Sequence, residues 1–364
     1  MIEKALKGNR NYWIWIVFLV TFVASGLFAY YQQRWFGLTV TGMGRDACFG
    51  IYTAQLTFLL GVAASAVLVV FSCSLLQQKE LAKTVIIALF MAASAALMSL
   101  LFIVADMGKP DRLLNIIFFS NPRSVVFWDL LLLSGYFASS IISGWAMLGA
   151  EKKGVPPPTW VKSVIYLSIP FAFGIAAVTA FLYGGLPDLN LWLMSLLAIR
   201  FIASSFAAGM ALLILVTLVL KQTTGIDTGK EAREKLAIIA AYAGAAHILL
   251  LAVQLFTTIT SGTMMWVSLI IGVVSVIILL LPALRKSQLL FVGACTSLVF
   301  SVWVDKSAGL MIGGELVPAP LGSIVAYAAT STEMFVAVGI WSLGTLLFTA
   351  FLKVVVAVKV ENEG

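Results

Sequence analysis

Lys83–Asp106 reads KTVIIALFMAASAALMSLLFIVAD, with no ionisable side chain between its first and last residues. A helix needs about 20 consecutive apolar residues to cross a hydrocarbon core ~30 Å thick, and this run is long enough. Its centre, Ala92-Ala93-Ser94-Ala95-Ala96, supplies the small side chains that let helix backbones approach closely in lipid. Similar runs lie on either side, at Tyr12–Tyr31, Phe49–Leu76, Val125–Leu148, Val161–Tyr183, Leu191–Leu220, Leu236–Thr260, Met265–Leu284, Leu289–Val304 and Val325–Val356. Together they predict an all-α integral membrane protein of about ten transmembrane helices, the ninth being the shortest.

Composition agrees. Of 364 residues, 61% are hydrophobic and only 11% charged, where a soluble domain carries roughly 25% charged residues. So few charges cannot clothe a water-facing surface, so lipid is the main solvent. The formal charge of +7 does not signal nucleic-acid binding, because the Lys and Arg are spread over short loops instead of one polar face. Cys48, Cys73 and Cys295 are far apart, and His247 is the only histidine. Iron–sulfur ligation needs clustered thiolates and a bis-histidine haem needs two imidazoles. The chain is therefore expected to carry neither cofactor itself.

Lys and Arg in the loops set the expected orientation. With the N-terminus cytoplasmic, sixteen of the 23 fall on the cytoplasmic side and six outside, Lys306 among the latter, with Arg200 inside a span. An even number of spans then places both termini in the cytoplasm. Residues 151–162 (EKKGVPPPTWVK) form a stiff, proline-rich connector. The expected division is a first four-helix bundle at 1–150, that linker, a second four-helix bundle at 163–288, and two additional helices at 289–364 with an outer loop at Asp305–Ser323.

Ionisable groups at membrane depth cost about 2.5–3.5 kcal/mol each on insertion scales, so they mark pairs, cavities or sites. Asp129, Arg200, His247 and Glu333 are the clearest. Arg200 is expected to pair with Asp129 or Glu333, and Arg200, His247 and Glu333 are candidates for buried ion pairs or a proton relay. Under the chosen topology the outer ends of the first four spans converge. They gather Tyr30, Tyr31 and Gln32, then Tyr52 and Gln55, then Asp106, then Trp128 and Asp129. A quinone head group needs hydrogen-bond partners for its carbonyls, an aromatic or apolar slot, and a carboxylate or phenol to handle protons. That set supplies all three. An interfacial aromatic belt would by itself account for the Tyr and Trp, but not for Gln55, Asp106 and Asp129.

Two segments carry a family resemblance. Asp106-Met-Gly-Lys-Pro-Asp-Arg112, followed by Asn121-Pro-Arg-Ser-Val-Val-Phe-Trp128, resembles a signature stretch of the NrfD/PsrC superfamily, the polysulfide-reductase membrane subunits. Asn190-Leu-Trp192 with Arg200-Phe-Ile-Ala-Ser-Ser-Phe-Ala-Ala-Gly209 is similar to a second helix of that family. Trp303-Val-Asp305-Lys306, Gly313–Gly322, Glu333 and Gly339-Ile-Trp341 resemble its ten-span subtype, which includes the DsrP subunit of a sulfite-reduction-associated complex. The chain departs from the pattern at Lys109, where the family has Arg, and its first span offers no histidine.

The resemblance implies a menaquinone- or ubiquinone-binding subunit of the cytoplasmic membrane. It would exchange electrons with a docked periplasmic iron–sulfur protein and multihaem cytochrome c, alongside other membrane and cytoplasmic subunits, in dissimilatory sulfur metabolism. Separately from the resemblance, Tyr30, Tyr52 and Gln55 are expected to contact the quinone by their position and not by the family motif; Arg112 and Trp128 are further expected quinone contacts, and Asp106 and Asp129 are expected to transfer protons. A secondary transporter and a purely structural anchor are the rival readings.

Overall fold

A computed structural model describes residues 8–44, 49–74, 79–119, 121–182, 191–257, 263–307 and 327–363. Ten helices among them are long and apolar enough to span a membrane: α1 (Arg10–Phe36), α2 (Ile51–Ser74), α3 (Ala82–Asp106), α4 (Val125–Lys152), α5 (Thr159–Leu182), α6 (Leu191–Thr224), α7 (Lys230–Thr257), α8 (Thr263–Leu280), α9 (Gln288–Trp303) and α10 (Ser331–Glu363). The chain is an integral membrane protein. The face at which α1 ends and α2 begins is called here the far face.

Several helices outrun their apolar runs. α7 begins at Lys230, six residues before the expected span, on a turn where Lys230 reaches Glu234 at 3.8 Å. Such i,i+4 pairs support a helix in the polar interface. α9 continues through a π-helical turn at 304–307, so the ninth span runs from Gln288 to Ser307. Asp305 and Lys306, assigned from the sequence to an outer loop, are instead fully enclosed, at 0% and 2% exposure. The apolar run stops at the first charge; the helix continues because other helices bury and partner those charges.

The helices pack as two closed rings and a flanking pair. α2, α3, α4 and α5 each touch the next, and α5 returns to α2; α6, α7, α8 and α9 close in the same way. α2 and α5 join the rings through α6, while α1 lies along α10, and α10 rests on α3. The division therefore differs from a break at the proline-rich connector. That connector limits the reach of the chain between α4 and α5 but leaves their faces free to pack together. Among the small residues, Ala92, Ala93, Ala96, Ala207 and Ala208 are all buried. At the crossing of α1 and α10, a Cβ placed on Gly26 would sit 2.6 Å from the Cα of Gly339, so neither position has room for a side chain.

Candidate functional site

The far end of α1 enters the protein on the face that carries Gly26, Tyr30 and Gln33, at helical i, i+4, i+7 spacing. Gln33 is buried and joins three helices. Its Nε2 donates to the Ala105 carbonyl of α3 at 2.7 Å, and its Oε1 accepts from the Tyr52 hydroxyl of α2 at 2.6 Å. Gln32, named from the sequence, is exposed; the inward amide is one residue further on. The spacing from Gly26 and Tyr30 is the signal that identifies it.

Asp106 ends α3 beside this clamp. The Thr53 hydroxyl donates to its Oδ2 at 3.4 Å, while its Oδ1 is buried with no partner among the described residues. Buried carboxylate oxygens are ordinarily hydrogen-bonded, so a free one is an available acceptor. Below lies an apolar groove of about 130 Å³ between α1, α3 and α10, bounded by Leu27, Leu101, Ala105, Val336 and Ile340 and reaching Tyr30. Tyr30 also borders a small polar recess formed with Gln33, Arg34, Met107 and Gly108. Arg34 is bonded to Asp111 at its rim. Tyr30, Tyr52 and Asp106 are thus gathered around Gln33, where an apolar groove meets a polar end.

The other sequence-derived residues lie elsewhere. Gln55 faces away from the groove and accepts the indole N–H groups of Trp303 and Trp341, each at 3.1 Å. Arg112 is exposed, and Trp128 is partly exposed and donates to the Pro122 carbonyl at 2.7 Å. Asp129 is buried between α4 and α5 and lies 3.5 Å from the Thr179 hydroxyl. That hydroxyl already donates to the Ile175 carbonyl at 2.7 Å. A threonine hydroxyl has one proton to give, so the shorter bond takes it, and Asp129 is left a buried carboxyl with neither a cation nor a strong donor among the described residues.

Arg200 does not meet Asp129 or Glu333. Its Nη2 lies 3.5 Å from Asp305 Oδ1, and Asp305 Oδ2 lies 3.8 Å from His247 Nε2. Lys306 donates to the Ser205 hydroxyl at 3.2 Å and stands over the Phe201 ring at 4.9 Å. The distance from Asp305 to its neighbours allows ion pairing but not hydrogen bonding, and the nitrogens of Arg200 and His247 have no hydrogen-bond partner among the described residues. α6, α7 and α9 thus enclose one acid, two bases and an imidazole. Asp305 and Lys306 were missed as members because the apolar run ends before them.

Glu333 has a different setting. Thr330-Ser-Thr-Glu333 forms a capping box at the start of α10: Thr330 N donates to Glu333 Oε2 at 2.8 Å, and Glu333 N approaches Thr330 Oγ1 at 3.4 Å. The same carboxylate accepts from Gly42 N at 2.9 Å and from the Tyr327 hydroxyl at 2.9 Å, while Tyr327 accepts from Ile51 N at 3.0 Å. Burial raises the Tyr327 phenol above its usual range, which keeps its proton in place as the donor to Glu333. Glu333 thus ties the α1–α2 connection to α10 through hydrogen bonds, with no ion pair among the described residues. The T-x-x-E pattern was the available signal. Cys48, Asn190 and residues 308–326, which hold most of the expected outer docking loop, lie outside the described residues.

Known proteins are similar in sequence to this chain, two of them along nearly its whole length. The family model described as "Polysulphide reductase, NrfD" matches residues 39–318. A Halobacterium salinarum protein assigned as a membrane subunit of a dimethyl sulfoxide reductase is 22% identical, over 94% of this chain and 90% of that protein. The Hdr-like menaquinol oxidoreductase integral membrane subunit of Archaeoglobus fulgidus is 23% identical, over 96% of this chain and 95% of its own length. A selenate reductase subunit of Mesobacillus selenatarsenatis is 21% identical, over 54% of each chain.

Proposed function

The chain belongs to the NrfD polysulphide-reductase family of integral membrane proteins, and from that premise we propose that it is the quinone-interacting membrane subunit of a multi-subunit oxidoreductase in the cytoplasmic membrane. The observation that carries this reading is the apolar groove between α1, α3 and α10, which runs from a lipid-facing surface to Tyr30 and the Gln33 clamp. The relatives support it by name, as subunits of two reductases and of a menaquinol oxidoreductase.

The residues present fit an isoprenoid quinone. The groove suits an apolar tail, and Tyr30 stands at its polar end as a partner for a ring carbonyl, with Asp106 next in the chain between Ala105, which lines the groove, and Met107, which lines the recess. A bound quinone would supply the hydrogen-transfer redox chemistry. The chain's own part is positional and protic. Gln33 fixes Tyr52 and the end of α3 relative to α1 through its two hydrogen bonds. Tyr30 closes the apolar slot and offers a hydroxyl. Asp106 holds or releases a proton at Oδ1, the oxygen with no other partner among the described residues.

Menaquinone is the quinone favoured by the Archaeoglobus relative's name. We assign the Tyr30 end to the outer face on the loop charges, with electrons passing to or from an iron–sulfur protein docked there and onward to a cytochrome c or catalytic subunit of sulfur-compound metabolism. Arg200, His247 and Asp305 form a candidate site for a proton held deeper in the membrane, whereas Glu333 is assigned to anchoring α10. The test is quinone-linked turnover of the assembled complex with Tyr30→Phe and Asp106→Asn. Loss of turnover with intact assembly supports the reading, and full turnover in both variants removes this groove from the mechanism.

A further inference from the structure

A second cavity opens toward lipid on the other side of α10. It measures about 480 Å³ and lies between α2, α6, α9 and α10, within the range of about 300–1,000 Å³ usual for small-molecule sites. Its walls are aromatic. Phe300 and Trp303 of α9 stack at 5.9 Å with 22° between their planes, and Phe58 of α2 lies 6.2 Å from Trp341 of α10 at 31°.

Gln55 is the residue that gives the cavity a polar end. An indole can donate but not accept, and both indole N–H groups converge on Gln55 Oε1. That fixes which way the amide faces. The oxygen is used, and the NH2 group has no partner among the described residues. The cleft therefore offers a hydrogen-bond donor and aromatic faces, and no charged group among the described residues. This selects a flat, lipophilic ring with a carbonyl on its edge.

Depth agrees with such an occupant. α2 has 24 residues, about 36 Å at 1.5 Å per residue against a hydrocarbon core of ~30 Å. Gln55 is four residues from its start, so it lies close to the far-face boundary, where the polar edge of a quinone ring can rest while its tail stays in lipid. A phospholipid acyl chain would leave the aromatic pairs without a planar partner.

We infer that this cleft is a second isoprenoid-quinone site, separated from the Tyr30 groove by α10. The inference rests on the reading that the chain serves the quinone pool. Two single substitutions separate the sites: Leu101→Trp fills the first groove and Val299→Trp fills the second cleft. The protein, in its complex and in phosphatidylglycerol nanodiscs, is titrated with a short-tailed menaquinone, and bound quinone is counted after extraction. The expected result is two equivalents for the native protein and one for each variant. Gln55→Leu, which leaves the cleft open, should weaken the second site about three- to tenfold, as expected for one lost hydrogen bond. Trp303 and Trp341 report independently: quinone should quench their emission, and Trp341→Phe should reduce that quenching.

One equivalent in the native protein, lost only in Leu101→Trp, overturns the second site and leaves the first intact. No bound quinone overturns both. A phospholipid displaced by Val299→Trp with quinone unchanged makes the cleft a lipid site and also overturns the inference.

Discussion

At the scale of single residues, the unequal bonding of Asp106 is the feature with the most chemical consequence. One oxygen is held by Thr53 and the other has no partner among the described residues. A positioned acid or base commonly contributes 10²–10⁴-fold to rate. Asp106→Asn should therefore lower quinone-linked turnover by about 10²-fold or more, with assembly unchanged on native gels. Asp305 makes a different prediction. Removing one member of a buried ion pair leaves the other uncompensated, at about 3–5 kcal/mol. Asp305→Leu should lower the melting temperature of the purified protein sharply, and adding Arg200→Leu should restore part of the loss, a non-additivity that a double-mutant cycle measures. Tyr30, Tyr52 and Asp106 were legible in the sequence because polar groups at the end of an apolar run need a reason to be there. Gln33 was not, because hydropathy locates a span but not the face that a given residue occupies. Asp305 was not because its partners, Arg200 and His247, come from helices far away in sequence.

At the scale of elements, the groove depends on how closely α1 and α10 approach. α1 is the least enclosed span, with 17% of its apolar window buried, and it has few other anchors. Gly26→Leu or Gly339→Leu should push the two helices apart and weaken quinone binding while the α2–α5 ring stays folded. Hydrogen exchange would show this as faster exchange in α1 and α10 and unchanged protection in α2 and α3. The α6–α7 connection gives a pH prediction. Arg233 at 2.5 Å and Lys221 at 2.6 Å hold the Asp227 carboxyl well below the usual carboxylate range. A group depressed in the folded state contributes stability above its unfolded value of ~3.9 and loses it as pH falls through the folded value. Protection of the Gly229 amide, which donates to Asp227 at 3.0 Å, should therefore be flat from neutral pH to about pH 5 once corrected for intrinsic exchange. It should fall only under strong acid. Arg233→Gln should move that fall to higher pH. Element existence was readable throughout, since each span is a long apolar run. The ends were less so, because capping boxes, interfacial ion pairs and the π-turn of α9 lengthen helices beyond the apolar stretch.

At the scale of the whole molecule, two rings of four helices and a flanking pair make two lipid-facing cavities, one on each side of α10. That arrangement could not be read from periodicity, because in lipid the outward faces are as apolar as the inward ones and the usual contrast between core and surface is lost. The ten candidate spans among the described residues were readable, but not the ring to which each belongs. The functional reading turns on whether the Tyr30 end of the α1–α3–α10 groove holds a quinone ring. The decisive experiment is photolabelling of the native complex with an azido-quinone, mapped by peptide mass spectrometry. Label is expected on the peptides that carry Tyr30 and Met107-Gly108, competed by unlabelled menaquinone and lost in Leu101→Trp. Label that spares those peptides while the complex turns over quinone would place the ring elsewhere and refute the assignment.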